Sequence, residues 1–199
     1  MDALAHTPAL GTIDGYLTRL QAALSRLRHD ELELMVDALI DAWRRDAQVF
    51  ICGNGGSAAT ASHFACDLGK GTITPGLKRM RVLSLSDAIP MMTAWGNDSD
   101  YSDIFAEQLT NLMNPGDVLI AISGSGNSPN VLKAVAYARA NGGHTIALTG
   151  FAGGKIKDLA AHSVIVGAEC IQIVEDVHMA IEHTVCMSLT RRFQEISAT

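Results

Sequence analysis

Charge is scarce in this sequence. Asp, Glu, Lys and Arg make up 18% of the 199 residues and hydrophobic residues 48%, which excludes a disordered chain and implies that partner subunits cover some apolar surface. The few basic residues are scattered and the formal net charge is -6, so a nucleic-acid surface is not expected. No run of eighteen apolar residues occurs, and the opening MDALAHTPALG lacks the charged and apolar segments of a secretory leader. A soluble, cytoplasmic protein without a membrane partner is expected. The four cysteines, Cys52, Cys66, Cys170 and Cys186, are far apart with no CxxC pair, and they read as buried free thiols rather than a disulfide framework. The length suits one domain with a helical appendage.

Two familiar nucleotide loops are also missing. The chain has neither GxGxxG after its first strand nor GxxxxGK followed by Ser or Thr, so no dinucleotide or nucleoside triphosphate is implied. A different glycine turn is there instead. The apolar run Val49 to Cys52 reads as a buried strand, Gly53 Asn54 Gly55 Gly56 Ser57 as a sharp turn, and Ala58 to Leu68 as a helix. Backbone N–H groups at such a turn, with the positive end of the helix dipole, suit an anion, most simply a phosphate. On the same helix His63 and Asp67 stand four apart, placing an imidazole and a carboxylate on one face about a turn beyond that pocket.

The design repeats. Asp117 to Ile122 is a strand that runs into Ser123 Gly124 Ser125 Gly126 Asn127 Ser128, and Pro129 suits the first turn of the next helix, which runs through Ala140. Further strands are expected at Met80 to Leu85, His144 to Thr149 and Ser163 to Val166, with helical segments at Pro90 to Trp95, Ile104 to Met113 and a short one before Ala160. This alternation predicts an α/β fold, a three-layer doubly wound parallel sheet of five strands, in which both glycine turns reach one carboxyl edge. Residues 1–11 read as a flexible tail. Residues 12–46 carry two helical patterns, Tyr16, Leu17, Leu20, Leu24, Leu27 and then Leu32, Met35, Leu39, Ala42, Trp43, forming a hairpin that packs on the sheet or builds an oligomer bundle. Residues 47–195 form the main domain.

The last helix, Ile171 to Phe193, carries Glu175, His178, Glu182 and His183. By the 3.6-residue period Glu175 and His183 fall about 80° apart, so one broad face can hold both. His178 is read as a packing or surface residue, paired with Glu182 or Glu175.

Together, Asn54 Gly55 Gly56 Ser57 with His63 and Asp67, the serine turn, Leu148 Thr149 Gly150 with Gly153 Gly154, and Glu175 to His183 resemble the sugar isomerase (SIS) fold, and more narrowly the phosphoheptose isomerases. The resemblance spans about Thr12 to Arg192. It implies a homotetramer with active sites between subunits. It places the sugar phosphate on Asn54, Gly55, Gly56, Ser57, Ser123, Gly124, Ser125 and Ser128, with Asp98 of Trp95 Gly96 Asn97 Asp98 and Glu175 also toward the substrate. Asp67 and His183 take the acid and base roles, and His63, Asp67, Glu175 and His183 correspond to positions that bind zinc in some members. Aspartate stands at Asp67 where the family has glutamate, shortening the arm by roughly 1.5 Å. Glutamate stands at Glu175 in place of glutamine, and Gly124 where threonine is commoner.

Ketose to aldose conversion needs a proton moved between neighbouring carbons through an enediol, and a carboxylate and an imidazole suffice for it. A zinc ion on the four residues would polarise substrate oxygens instead, and a residue ligating it would be a poor proton shuttle. The expected activity is isomerisation of sedoheptulose 7-phosphate to glycero-manno-heptose 7-phosphate for nucleotide-activated heptose synthesis. Two alternatives stand beside it: a non-catalytic SIS module that binds a sugar phosphate or a protein, and an isomerase of another phosphosugar.

Overall fold

A computed structural model describes residues 9–198, so most of the expected tail lies outside the described residues. Five strands, β1 (Gln48–Gly53), β2 (Arg81–Ser84), β3 (Val118–Ser123), β4 (His144–Gly150) and β5 (His162–Val166), form one sheet. All neighbours are parallel, in the order β2-β1-β3-β4-β5. Two helices precede it, α1 (Ile13–Leu24) and α2 (His29–Arg45). Between and after the strands come α3 (Gly56–Cys66), α4 (Ile89–Asp98), α5 (Ala106–Leu112), α6 (Pro129–Ala140), α7 (Ile156–Leu159) and α8 (Ile171–Ser197).

Alternation along the strands feeds two cores. Val49, Ile51, Val118, Ile120, Ile122, Ile146 and Leu148 face α2, α3 and α8, while Phe50, Cys52, Leu119, Ala121 and Ala147 face α5, α6 and α7. Nearly every residue of β1, β3 and β4 is buried because a parallel sheet is covered on both sides, while the edge strands β2 and β5 are more exposed. The expected α/β, doubly wound architecture is what the chain adopts.

One detail differs from the sequence reading. Instead of one helix from Ile104, a 3-10 turn at Tyr101–Asp103 leads into α5, because Asp100 accepts a hydrogen bond from the Ser102 N–H (2.7 Å) and tightens the entry. The hairpin packs on the sheet, the first of its two readings, through Met35, Val36, Leu39 and Ile40 of α2, which are buried in the core shared with the sheet and α8. Both helices still leave apolar side chains exposed, Ile13 at 80% and Leu17 at 56% on α1 and Leu34 at 58% on α2.

The order places β1 beside β3 where the strand sequence reverses, with α3 crossing one face and α6 the other. At such a switch point the two loops diverge and open a crevice at the carboxyl edge.

Candidate active site

Gly53 of β1 is in register with Ile122 of β3, so both glycine turns leave the sheet side by side. Gly55 has φ 54°, a region costly for other residues, and it delivers the chain into α3 with Ser57 buried in the first turn. On the facing turn the Ser123 and Ser128 hydroxyl oxygens lie 3.2 Å apart. Asn54 is held by a reciprocal amide pair with Asn130 at the start of α6 (2.9 and 2.8 Å), and the Tyr101 hydroxyl donates to Asn54 Oδ1 (3.2 Å). Ser86 fixes the other flank, accepting from the Gly53 N–H (3.2 Å) and donating to its carbonyl (3.0 Å). The space beside Gly124 is taken by Ile171, whose Cδ1 would lie 2.3 Å from an added Cβ, so a larger residue there needs Ile171 to move. Hydroxyls, amides and first-turn N–H groups thus converge on a rigid anion cradle.

One end of α3 makes that cradle and the other makes a titratable cluster. After Cys66 the helix widens into a π turn, Asp67–Gly71, which begins on the acid itself. Such turns are frequent at functional sites because they re-aim a side chain without ending the helix. The His63 Nε2 lies 3.6 Å from Asp67 Oδ2, as their four-residue spacing predicts. From α8, His183 brings its Nε2 to 3.2 Å from His63 Nε2 and 4.0 Å from Asp67 Oδ2. Glu182 joins them, its Oε2 3.2 Å from His183 Nε2. Ligand atoms of His63, Asp67, Glu182 and His183 all lie within 4.8 Å of one another, so the group can hold a metal ion. The Glu182 side chain is fully buried, and burial first, then the nearby Asp67 carboxylate, pushes its carboxyl up to about 7. A groove of about 370 Å³ lined by Asp67, Gly71, His183, Cys186 and Met187 adjoins the cluster.

The SIS domain family matches residues 15–150. A phosphoheptose isomerase of Helicobacter pylori (strain P12) is 38% identical over 87% of this chain and 90% of its own length. The chain belongs to the phosphoheptose isomerases. Solved structures agree: the phosphoheptose isomerase of Neisseria gonorrhoeae is 30% identical with a TM-score of 0.80, covering 86% of this chain and 91% of that one. That of Francisella tularensis is 27% identical with a TM-score of 0.82, covering 88% and 94%.

Against this family frame, the turns that carry Asn54, Gly55, Gly56, Ser57, Ser123, Gly124, Ser125 and Ser128 leave the sheet side by side, but one expected metal ligand is elsewhere. Glu175 lies against Gly56, where an added Cβ would be 2.4 Å from its Oε1, and it is not in the cluster. Angular proximity on a helix ignores axial rise: eight residues carry Glu175 about 12 Å along α8 from His183. Its carboxylate stands at the phosphate end. Asp98 sits exposed at the end of α4, where its Oδ1 accepts a hydrogen bond from the neighbouring Asn97 side-chain amide (2.7 Å). The structure joins it to neither glycine turn.

Glu182, Asn130 and Tyr101 were missed. Glu182 had a signal, since it interrupts the buried stripe of Val174, Val177, Ile181, Val185 and Leu189 with an acid. Asn130 and Tyr101 had none, because their partner is distant in sequence. His178 is a packing residue as expected, fully buried, but it pairs with neither Glu182 nor Glu175, and burial pushes its imidazole down to about 4.

Proposed function

We propose that this phosphoheptose isomerase family member converts sedoheptulose 7-phosphate to glycero-manno-heptose 7-phosphate in nucleotide-activated heptose synthesis. The observation that carries this reading is the placement of an anion cradle and an acid and imidazole cluster at opposite ends of one helix. Gly56 and His63 are seven residues apart, about 10 Å of helix rise. An extended seven-carbon chain from C1 to the terminal phosphorus spans about the same by ordinary covalent geometry. With its phosphate on Ser57, Ser123, Ser125 and Ser128, such a sugar presents C1 and C2 to Asp67 and His183.

The chemistry conserves atoms. One of the pair removes a proton from C1 of the ketose, giving an enediol, and the proton returns to C2 while the other group moves a proton from the C1 oxygen to the C2 oxygen. Two imidazoles and two carboxylates make a donor set suited to zinc, and the inter-donor distances fit one small ion. A zinc ion held there would supply Lewis-acid stabilisation of negative charge on the substrate oxygens instead, with Asp67 and His183 serving as ligands rather than as proton carriers.

Assembly as a homotetramer with sites near subunit boundaries is supported by apolar side chains left exposed on the outer helices, Ile13, Leu17, Leu34 and Met187. No described helix is long and apolar enough to cross a membrane, and we place the reaction in the cytoplasm.

Purified protein, chelated or zinc-loaded, is to be incubated with sedoheptulose 7-phosphate and a panel of pentose and hexose phosphates, reading aldose formation. Turnover of the heptose is expected to dominate. Tight binding without turnover of any sugar would identify a non-catalytic module, and a preferred pentose or hexose would reassign the substrate.

A further inference from the structure

Tyr101 ties its hydroxyl to the first glycine turn at Asn54 and yet stands 59% exposed. Resting on the reading of the two glycine turns as the seat of a sugar phosphate, we infer that Tyr101 is a specificity-determining residue. Its phenol oxygen accepts a hydrogen bond from the sugar hydroxyl nearest the phosphate, and the Lys133–Asp103 ion pair holds it in place to do so.

The hydrogen bonds beneath Tyr101 run one way, outward from the backbone. The Val131 N–H donates to Asn130 Oδ1 (3.0 Å), which fixes the sense of the Asn130 carboxamide. That oxygen also accepts from Asn54 Nδ2 (2.9 Å), so Asn130 Nδ2 is left to donate to Asn54 Oδ1 (2.8 Å). Asn54 Oδ1 is therefore an acceptor, and the Tyr101 O–H donates to it (3.2 Å). A phenol has one proton to give, and this one is committed inward; only lone pairs face the crevice. Asn130 is 1% exposed, which keeps water from reordering the pair. A phosphate dianion has no hydrogen to offer such an oxygen, whereas a sugar hydroxyl has. Because Asn54 lies three residues before Ser57, at the phosphate end, the hydroxyl within reach is the first one along the chain from the phosphate.

The turn that carries Tyr101 is fastened by charge. No residue of α4 is buried, so packing fixes this turn only from its far side, at Ile104 and Phe105. Asp103 supplies the second anchor. Its side chain is 10% exposed, and one oxygen accepts from Lys133 Nζ on α6 while the other accepts from the Ser99 hydroxyl (2.7 Å). The first turn of α6 also carries Asn130, so one helix positions both partners of Asn54. Removing the cation leaves a largely buried carboxylate uncompensated, and the turn is the part free to move.

The test reads binding to small phosphate esters that differ by one hydroxyl. Chelated wild type, Tyr101→Phe, Lys133→Met and Lys133→Arg are titrated with inorganic phosphate, propyl phosphate and 2-hydroxypropyl phosphate, followed by phosphorus NMR. Wild type is expected to bind the hydroxylated ester about three- to tenfold more tightly than propyl phosphate, the worth of one uncharged hydrogen bond. Tyr101→Phe should lose that preference while binding inorganic phosphate as wild type does. The same variant should raise KM for sedoheptulose 7-phosphate by the same factor with kcat little changed. Lys133→Met should lose the preference and Lys133→Arg keep it. No preference in wild type, a preference retained in Tyr101→Phe, or an equal weakening of inorganic phosphate in that variant would each overturn the assignment; a preference retained in Lys133→Met would overturn the part given to the ion pair. Tyr101→Phe removes a single atom from a largely exposed side chain, so loss of the fold does not imitate the expected result. Wild type that binds these esters but turns over no sugar would end the isomerase reading alone, since the ester preference is read without turnover.

Discussion

Replacing Glu182 with leucine should stabilise the cation-free protein, by an amount that grows with pH. In the folded chain the Glu182 carboxyl is raised from 4.5 to about 7, chiefly by burial. Between those values the folded state holds a proton that the unfolded state has released, so stability falls as pH rises through this window. The gap corresponds to about 3 kcal/mol, fully lost above pH 7. His178 works the other way. Its imidazole is lowered from 6.5 to about 4, so the folded state binds fewer protons in that range and stability rises with pH. The two slopes nearly cancel in the wild type from about pH 4.5 to 6.5, and in Glu182→Leu only the upward one remains. Chelated proteins at one concentration are unfolded by heat or urea at pH 4.5, 6 and 8. The advantage of the variant at pH 8 should exceed that at pH 4.5 by about 3 kcal/mol, or roughly 6–12 °C for a chain of this size. A difference between the two proteins that does not change with pH would refute the reasoning, because a mere packing effect carries no proton.

Asp67→Ala and His183→Ala should each lower turnover of sedoheptulose 7-phosphate by about 10²–10⁴-fold, and near-normal rates in either variant would remove that residue from the chemistry. Asn130→Ala takes away both bonds to Asn54 and should cost about 1–3 kcal/mol while raising KM more than it lowers kcat. An unchanged KM would show that Asn54 needs no such support. Gly126 has φ 65°, and a Cβ there would lie 2.2 Å from the Gly153 carbonyl oxygen, so Gly126→Ala should lose about 1–3 kcal/mol and weaken inhibition by inorganic phosphate. Phosphate inhibition at the wild-type level would mean that the serine turn does not grip the anion.

Much of the fold was legible because its signals are local. The segments Val49 to Cys52 and Val118 to Ile122 are unbroken apolar runs, the first ended by Gly53 and the second by Ser123 Gly124, and they became β1 and β3 nearly to the residue. Spacing on a single helix was equally readable, and His63 with Asp67 met as expected. Comparing positions on a helix by angle alone failed for Glu175, since rise separates side chains as surely as rotation does.

By itself the sequence determined the succession of strands and helices and the two glycine turns, because hydrophobic period and turn chemistry are properties of neighbouring residues, and the resemblance of its motifs pointed to the family. Only the tertiary structure decided which acid from α8 meets His63 and Asp67, and that Asn130 and Tyr101 hold Asn54. Those meetings join residues from 47 to 120 positions apart, and they are set by how α3, α6 and α8 pack on the sheet.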